Sequence, residues 1–244
     1  MLLPGAFRLR RKPTPVTNST YQEDFNNLLA CVPVNDRAKA ELSATMSAKD
    51  RFYHDAAHLA LLWRRHRIYS AAEGLAAPEV EPLIACAIAY HDCVHDSRRR
   101  DNEERSAEIW MEASAGAPLT AENRQWVADT ILATRDHLGY FELTETASLN
   151  HDRKSPAELL RERGRIWFLD LDLTPLGETA EDFDSNTASL RREASHLSNA
   201  EWDATRLSFL LPFLQAPQIF RSPALAAIFE APARLNLLRC LRQA

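Results

Sequence analysis

From residue 21 onward, apolar residues recur three and four apart, the spacing of a helix face. No stretch alternates with the period of two that a half-buried strand requires. The pattern predicts helices over 21–32, 51–70, 79–92, 101–115, 120–136, 155–173, 178–197, 200–214 and 222–242. In the second of these, Leu59, Leu62 and Trp63 share one apolar side. The run VEPLIACAIAYHD is almost continuously apolar, which predicts a central buried helix. Asp101, Glu103 and Glu104 suit a helix N-terminus, and Thr120 suits an N-cap. Pro175 and Gly177 stop the helix over 155–173. Residues 138–154 are polar and carry no stripe, so they read as an exposed loop.

No internal repeat and no linker divides the chain. The expectation is an all-α fold: one helical domain over 20–244 with a C-terminal helical extension, preceded by a flexible tail over 1–19. That tail lacks a long apolar region and breaks at Pro4 and Gly5, unlike a signal peptide.

Composition sharpens this picture. The 244 residues suffice for a sizeable core, and only six are glycine, which disfavours a fold of many tight turns. The net charge of −5 speaks against a duplex nucleic-acid binder. Cys31, Cys86, Cys93 and Cys240 form no CxxC pair, as expected of reduced cysteines in the cytoplasm. No apolar run reaches the length of a membrane span.

Four segments place histidine and aspartate where a metal would need them. The first is His54-Asp55-Ala56-Ala57-His58. On a helix, residues four apart lie about 40° from each other around the axis, so His54 and His58 would share a face. The second is His91-Asp92, closing the most apolar helix, where two ionisable groups are costly unless paired or metal-bound. The third is Thr134-Arg135-Asp136-His137, and the fourth is Asp170-Leu171-Asp172-Leu173. Imidazole and carboxylate donors suit Mn, Fe, Ni, Co or Zn without selecting among them, and they leave open one ion or two, with Mg as one of a pair. Such an ion acidifies a water and polarises a phosphoryl oxygen, and a neighbouring histidine can protonate the leaving oxygen.

The order His, His-Asp, Asp on separate helices resembles the HD superfamily of metal-dependent phosphohydrolases. More narrowly, RFYHDAAHLALLW, AIAYHDCVHDSRRRDNEERSAEIW, ILATRDH, FLDLDLTPLG and EAPARLNLL are similar to its uncharacterised subfamily of predicted metal-dependent HD phosphohydrolases, over most of residues 50–240. A more distant likeness is to cyclic-nucleotide phosphodiesterases. These resemblances imply a phosphomonoesterase or phosphodiesterase acting on a nucleotide or related small phosphate ester. They imply His58, His91, Asp92 and Asp172 as metal ligands and His54 as the general acid. His95 falls where the phosphodiesterases carry a further histidine, but the subfamily has tyrosine there. Two other classes stay open. One is an HD-type di-iron oxygenase, kept alive by His95 and His137; the other is a non-catalytic sensor that keeps the metal pocket.

Each of these residues also has a plainer reading. His54 and His58 could be partly buried helix histidines, and Asp170 a helix cap or a partner of the ligands. Asn102 and Glu103 belong equally to an acidic first turn or to the surroundings of the site. Arg98, Arg99 and Arg100 read as a solvated run or as a phosphate clamp. His137 divides evenly between core and site, and Arg234 and Asn236 between bracing the C-terminal helices and reaching the site. His66 and His196 read as surface residues. His151-Asp152 repeats the dipeptide in the polar loop and reads as a decoy.

Overall fold

The computed structural model describes residues 18–139 and 154–242, and among these it is all-helical. The predicted tail and most of the predicted 138–154 loop, including His151 and Asp152, lie outside the described residues. Ten α-helices follow one another: α1 (Asn18–Cys31), α2 (Asp36–Met46), α3 (Ala56–Tyr69), α4 (Glu81–Tyr90), α5 (Asn102–Ala113), α6 (Ala121–Ala133), α7 (Pro156–Leu173), α8 (Ala180–Glu193), α9 (Asn199–Gln215) and α10 (Pro223–Leu241). Short 3₁₀ turns at Ser70–Glu73, Thr134–Asp136 and Thr174–Gly177 extend α3, α6 and α7.

Local chemistry sets the boundaries. Ser155 and Ser198 close capping boxes with Glu158 and Glu201, and Thr120 and Thr179 cap α6 and α8. Each such cap stabilises its helix by about 1 kcal/mol. The start of α3 departs from expectation. Asp55 is its N-cap, accepting from the amides of Ala57 (2.9 Å) and His58 (3.0 Å). The helix therefore begins at Ala56 rather than at residue 51, and His54 lies on the bend ahead of it.

Helix α2 has no counterpart in the hydrophobic pattern. Only Ala38, Leu42 and Met46 are buried, one residue per turn, which is too thin a stripe to stand out. Asn35 caps it by accepting from Ala38 N.

Helix α4 is the axis of the core. Leu83 through Tyr90 are all buried, and α4 touches α1, α3, α5, α6 and α7. Trp63, Trp110 and Trp167 are the largest fully buried side chains around it. His66, expected at the surface, is a core residue with no exposure. It stacks on Trp63 and accepts a hydrogen bond from Trp167 Nε1 at Nδ1 (3.0 Å). Burial and the Arg67 charge push its pKa down to about 4. Glu81 lies 3.6 Å from Nε2, but a third of its side chain is in water, so burial prevails.

This gives a pH prediction. The folded pKa lies below the ordinary value near 6.5, so His66 stays neutral in the folded chain while the unfolded chain takes up a proton. Stability is full above about pH 6.5 and falls as pH drops towards 4, by about 3 kcal/mol at most. Urea unfolding across this range should give a flatter curve for His66→Gln. Parallel curves would assign the acid sensitivity to other groups.

Beyond α7, the turn Thr174–Gly177 lies directly on α10. A Cβ added at Gly177 would meet Phe229 O at 2.7 Å and Phe229 Cβ at 2.9 Å. The obstacle is mainly backbone, so it cannot rotate away. Gly177→Ala is expected to destabilise the chain by about 1–3 kcal/mol, as overpacking does. An unchanged melting temperature would contradict this packing. Asn236 seals the same junction by donating to Leu176 O and Glu178 O, both at 2.9 Å.

Candidate metal centre

The site forms where α3, the end of α4 and the end of α7 meet. His58 comes from the first turn of α3, with 4% of its side chain exposed. His91 caps the C-terminus of α4, and Asp92 follows it. Asp172 lies one residue before the end of α7. His91 Nε2 is 2.9 Å from Asp92 Oδ2 and 3.4 Å from Asp172 Oδ1. His58 Nε2 is 3.4 Å from the same Asp172 oxygen and 4.0 Å from Asp92 Oδ2. Donor atoms of His58, His91 and Asp92 all fall within 4.8 Å of one another.

The donor set fits a cation. His58 Nε2 and His91 Nε2 are buried polar atoms without a hydrogen-bond partner, despite the nearby carboxylates. The four groups thus face one another in ion-pair contact without aligned hydrogen bonds at the histidine nitrogens, an arrangement that ligands around an ion also adopt. His91 Nδ1 lies 3.0 Å from Ile88 O and can donate to it, which fixes the tautomer with Nε2 as the free donor atom. His58 Nδ1 has no such partner, and its ring is held between those of Tyr53 and His91, at 5.0 and 5.6 Å.

The electrostatics agree. Burial alone would raise the carboxyl pKa values and lower that of His91. The mutual attraction outweighs it: His91 rises well above its ordinary value beside Asp92 and Asp172. Burial raises Asp92, yet the charges of His91 and His54 hold it below the carboxylate range. Asp172 is likewise raised by burial, yet His91, His137 and His58 together hold it well below the carboxylate range. Two half-buried carboxylates thus generate a field that favours positive charge at their centre, supplied by a proton or by a metal ion.

His137 belongs to this cluster rather than to the core. Its Nε2 is 3.0 Å from Asp172 Oδ2, the oxygen turned away from His58 and His91. Asp170 is not part of it. It is fully buried and accepts from the Ser222 amide (2.5 Å) at the start of α10, and burial raises its pKa to about 6.

A second group sits beside the first. His54, His95 and Glu193 bring their donor atoms together. Glu193 Oε2 is 2.6 Å from His54 Nδ1 and 3.6 Å from His95 Nε2. Glu193 Oε1 accepts from the amides of Phe52 and Tyr53, both at 2.8 Å, and of His54 at 3.1 Å. The His54 and His95 rings stack with centroids 3.6 Å apart and planes 22° apart. Burial lowers the His54 pKa, but Asp92 and Glu193 raise it further, whereas burial and the His54 charge press His95 down to about 4. The positive charge of the stack therefore rests on His54. Both ring nitrogens face the same Glu193 oxygen, and the short contact from His54 satisfies it as a hydrogen bond.

Two further residues hold the site together and were not singled out in the sequence. Arg51 donates to His54 O (2.6 Å), Asp92 O (2.7 Å) and Cys93 O (2.7 Å), tying the His54 bend to the His91–Asp92 segment. Ser106 does similar work on the following loop, donating to Val94 O and accepting from Val94 N. Asn102 pairs with the Asp96 backbone at both its amide and its carbonyl, so it shapes the His95 loop rather than touching the cluster.

The remaining candidates lie elsewhere. Glu103 is 3.5 Å from Arg135, and Glu104 pairs with the same guanidinium. Arg99 is bound to Asp101, and Arg98 lies 3.7 Å from Asp96, both among exposed side chains. Arg234 donates to Glu230 and to the carbonyls of Leu214, Ala216 and Pro217, so it braces α9 against α10. His196 is exposed. All four cysteines are free. No helix among the described residues is long and apolar enough to cross a membrane.

No family model, curated protein or solved structure matches the chain.

Proposed function

We propose that the chain is a metal-dependent phosphohydrolase of the HD type, acting on a nucleotide or related small phosphate ester as a monoesterase or phosphodiesterase. One observation carries the reading. Two buried histidine nitrogens without hydrogen-bond partners face two carboxylates at 2.9–4.0 Å, at the junction of three helices. His58, His91, Asp92 and Asp172 would hold a divalent transition metal. When bound, that ion supplies the Lewis acidity that phosphate-ester hydrolysis needs.

The chain's own residues do the rest. The carboxylates of Asp92 and Asp172 set the local charge. Arg51 keeps the His54 bend against the ligand segment. His54 carries a proton beside the centre and releases it to the leaving oxygen.

The test is metal analysis of the purified protein, followed by phosphate release from a panel of nucleotides and simple esters. Stoichiometric Mn, Fe, Ni, Co or Zn is expected, together with turnover that chelation abolishes and the same ion restores. Metal without turnover on any ester would leave a metal-pocket sensor. A second reading, a di-iron oxygenase, draws on His137, which brings a third imidazole onto Asp172. Two irons per chain with oxygen uptake would favour it.

A further inference from the structure

Glu193 was invisible in the sequence and is 139 residues from His54, yet it makes the shortest polar contact in the second cluster. Only 6% of its side chain is exposed. One oxygen collects three consecutive amides from the bend that carries His54, and the other faces His54 Nδ1. A carboxylate can only accept there, so Nδ1 must donate. Among the described residues, the opposite nitrogen, Nε2, has no hydrogen-bond partner. His95 covers one face of the ring, and Tyr53 meets it at 83°. The ring is thus fixed in place, in plane and in tautomer.

We propose that Glu193 is the positioning residue for His54: it holds the ring proton on Nδ1, so that Nε2 is the nitrogen presented for proton transfer. The catalytic meaning of this rests on the phosphohydrolase reading. As a water oxygen bonds to phosphorus and its proton passes to solvent, the phosphorus–oxygen ester bond breaks and its electron pair stays on the leaving oxygen. Imidazolium Nε2–H gives that oxygen its proton and becomes neutral, and the remaining proton stays on Nδ1 against Glu193. No other tautomer is stable beside the carboxylate, so the ring ends each turnover ready to be reprotonated at Nε2.

The rival role for Glu193 is purely structural, an acceptor for the three backbone amides. Glu193→Gln separates the two roles. Glutamine keeps an oxygen for the amides but places an N–H donor against Nδ1, which favours the opposite tautomer.

The experiment pairs kinetics with ¹⁵N NMR of the histidine rings in Zn-loaded protein. In the parent, neutral His54 should carry its proton on Nδ1; in Glu193→Gln it should move to Nε2. Metal content and melting temperature should match the parent. KM should stay within about twofold, while kcat on alkyl phosphate esters falls by about 10²–10⁴-fold, the usual contribution of a general acid.

An Nε2 proton in the parent would overturn the proposal, and this measurement stands even if the variant fails to fold. An active parent whose variant keeps its kcat would also overturn it while leaving the phosphohydrolase reading intact. So would loss of metal from Glu193→Gln, which would make Glu193 a support of the metal centre. A parent that shows the expected tautomer but cleaves no ester would instead remove the phosphohydrolase reading and leave Glu193's hold on the ring standing.

Discussion

Asp92→Ala is expected to lose the bound metal and the hydrolytic activity together. Asp92 Oδ2 lies 2.9 Å from His91 Nε2, at the centre of the cluster. Removing it takes away a donor atom and one of the two charges that make the centre attractive to a cation. Even outer partners of metal ligands cost about 10–100-fold in affinity or activity when lost. A direct ligand should cost more than that, enough to leave the protein metal-free after dialysis. The fold should survive, because the Arg51 bonds in this segment reach main-chain carbonyls and not the Asp92 side chain. Metal content and phosphate release together check this. Full metal occupancy with near-parent turnover would show that the ligand set is wrong.

His54→Ala should separate binding from chemistry. His54 stands ahead of α3, and Asp55 caps that helix with its own side chain. Alanine at 54 therefore leaves the His58 turn in place, and its amide can still reach Glu193 Oε1. Metal stoichiometry and melting temperature should hold, while the rate falls by about 10²–10⁴-fold. The loss should be greatest for alkyl esters. p-Nitrophenyl phosphate, whose leaving oxygen needs little protonation, should be partly spared. Loss of metal would make His54 a ligand. Equal rates on all substrates would make it structural and move the acid to His95, whose ring lies 3.6 Å away.

The sequence announced those parts of the molecule that depend on apolar patterning. Helix α4 was legible because Leu83 through Tyr90 face protein on every side, and polar His91-Asp92 after such a run had few plain explanations. The Asp170–Asp172 segment was legible by its place behind the apolar Ile166–Leu169 run, and the preference for Asp172 within it rested on the resemblance. Helix α2 was hidden because it buries one residue per turn. His66 was misplaced although it stands three residues after Trp63 and four after Leu62, within the apolar stripe of α3. Its bond to Trp167 crosses between helices, which no local pattern records. Glu193 was lost for the same reason: it ends a polar helix, and the Phe52, Tyr53 and His54 groups that it binds lie well over a hundred residues earlier. Arg51 escaped because it binds carbonyl oxygens, which every residue has.

The spread of the donor set along the chain bears on biosynthesis. A nascent polypeptide that has passed Asp92 owns three of the four donors, with two imidazoles and a single carboxylate among them. Asp172 arrives only when α7 has been made, and Glu193 one helix later. Since α7 must also dock on α3 and α4 before Asp172 can face His58 and His91, the centre cannot be completed piecemeal as segments leave the ribosome. On the proposed metal reading, firm capture of an ion would be a late event, and an early, loosely held metal would exchange until α7 closes the site. The ion found in the mature protein would reflect which metals are available at that moment as well as which the four donors prefer.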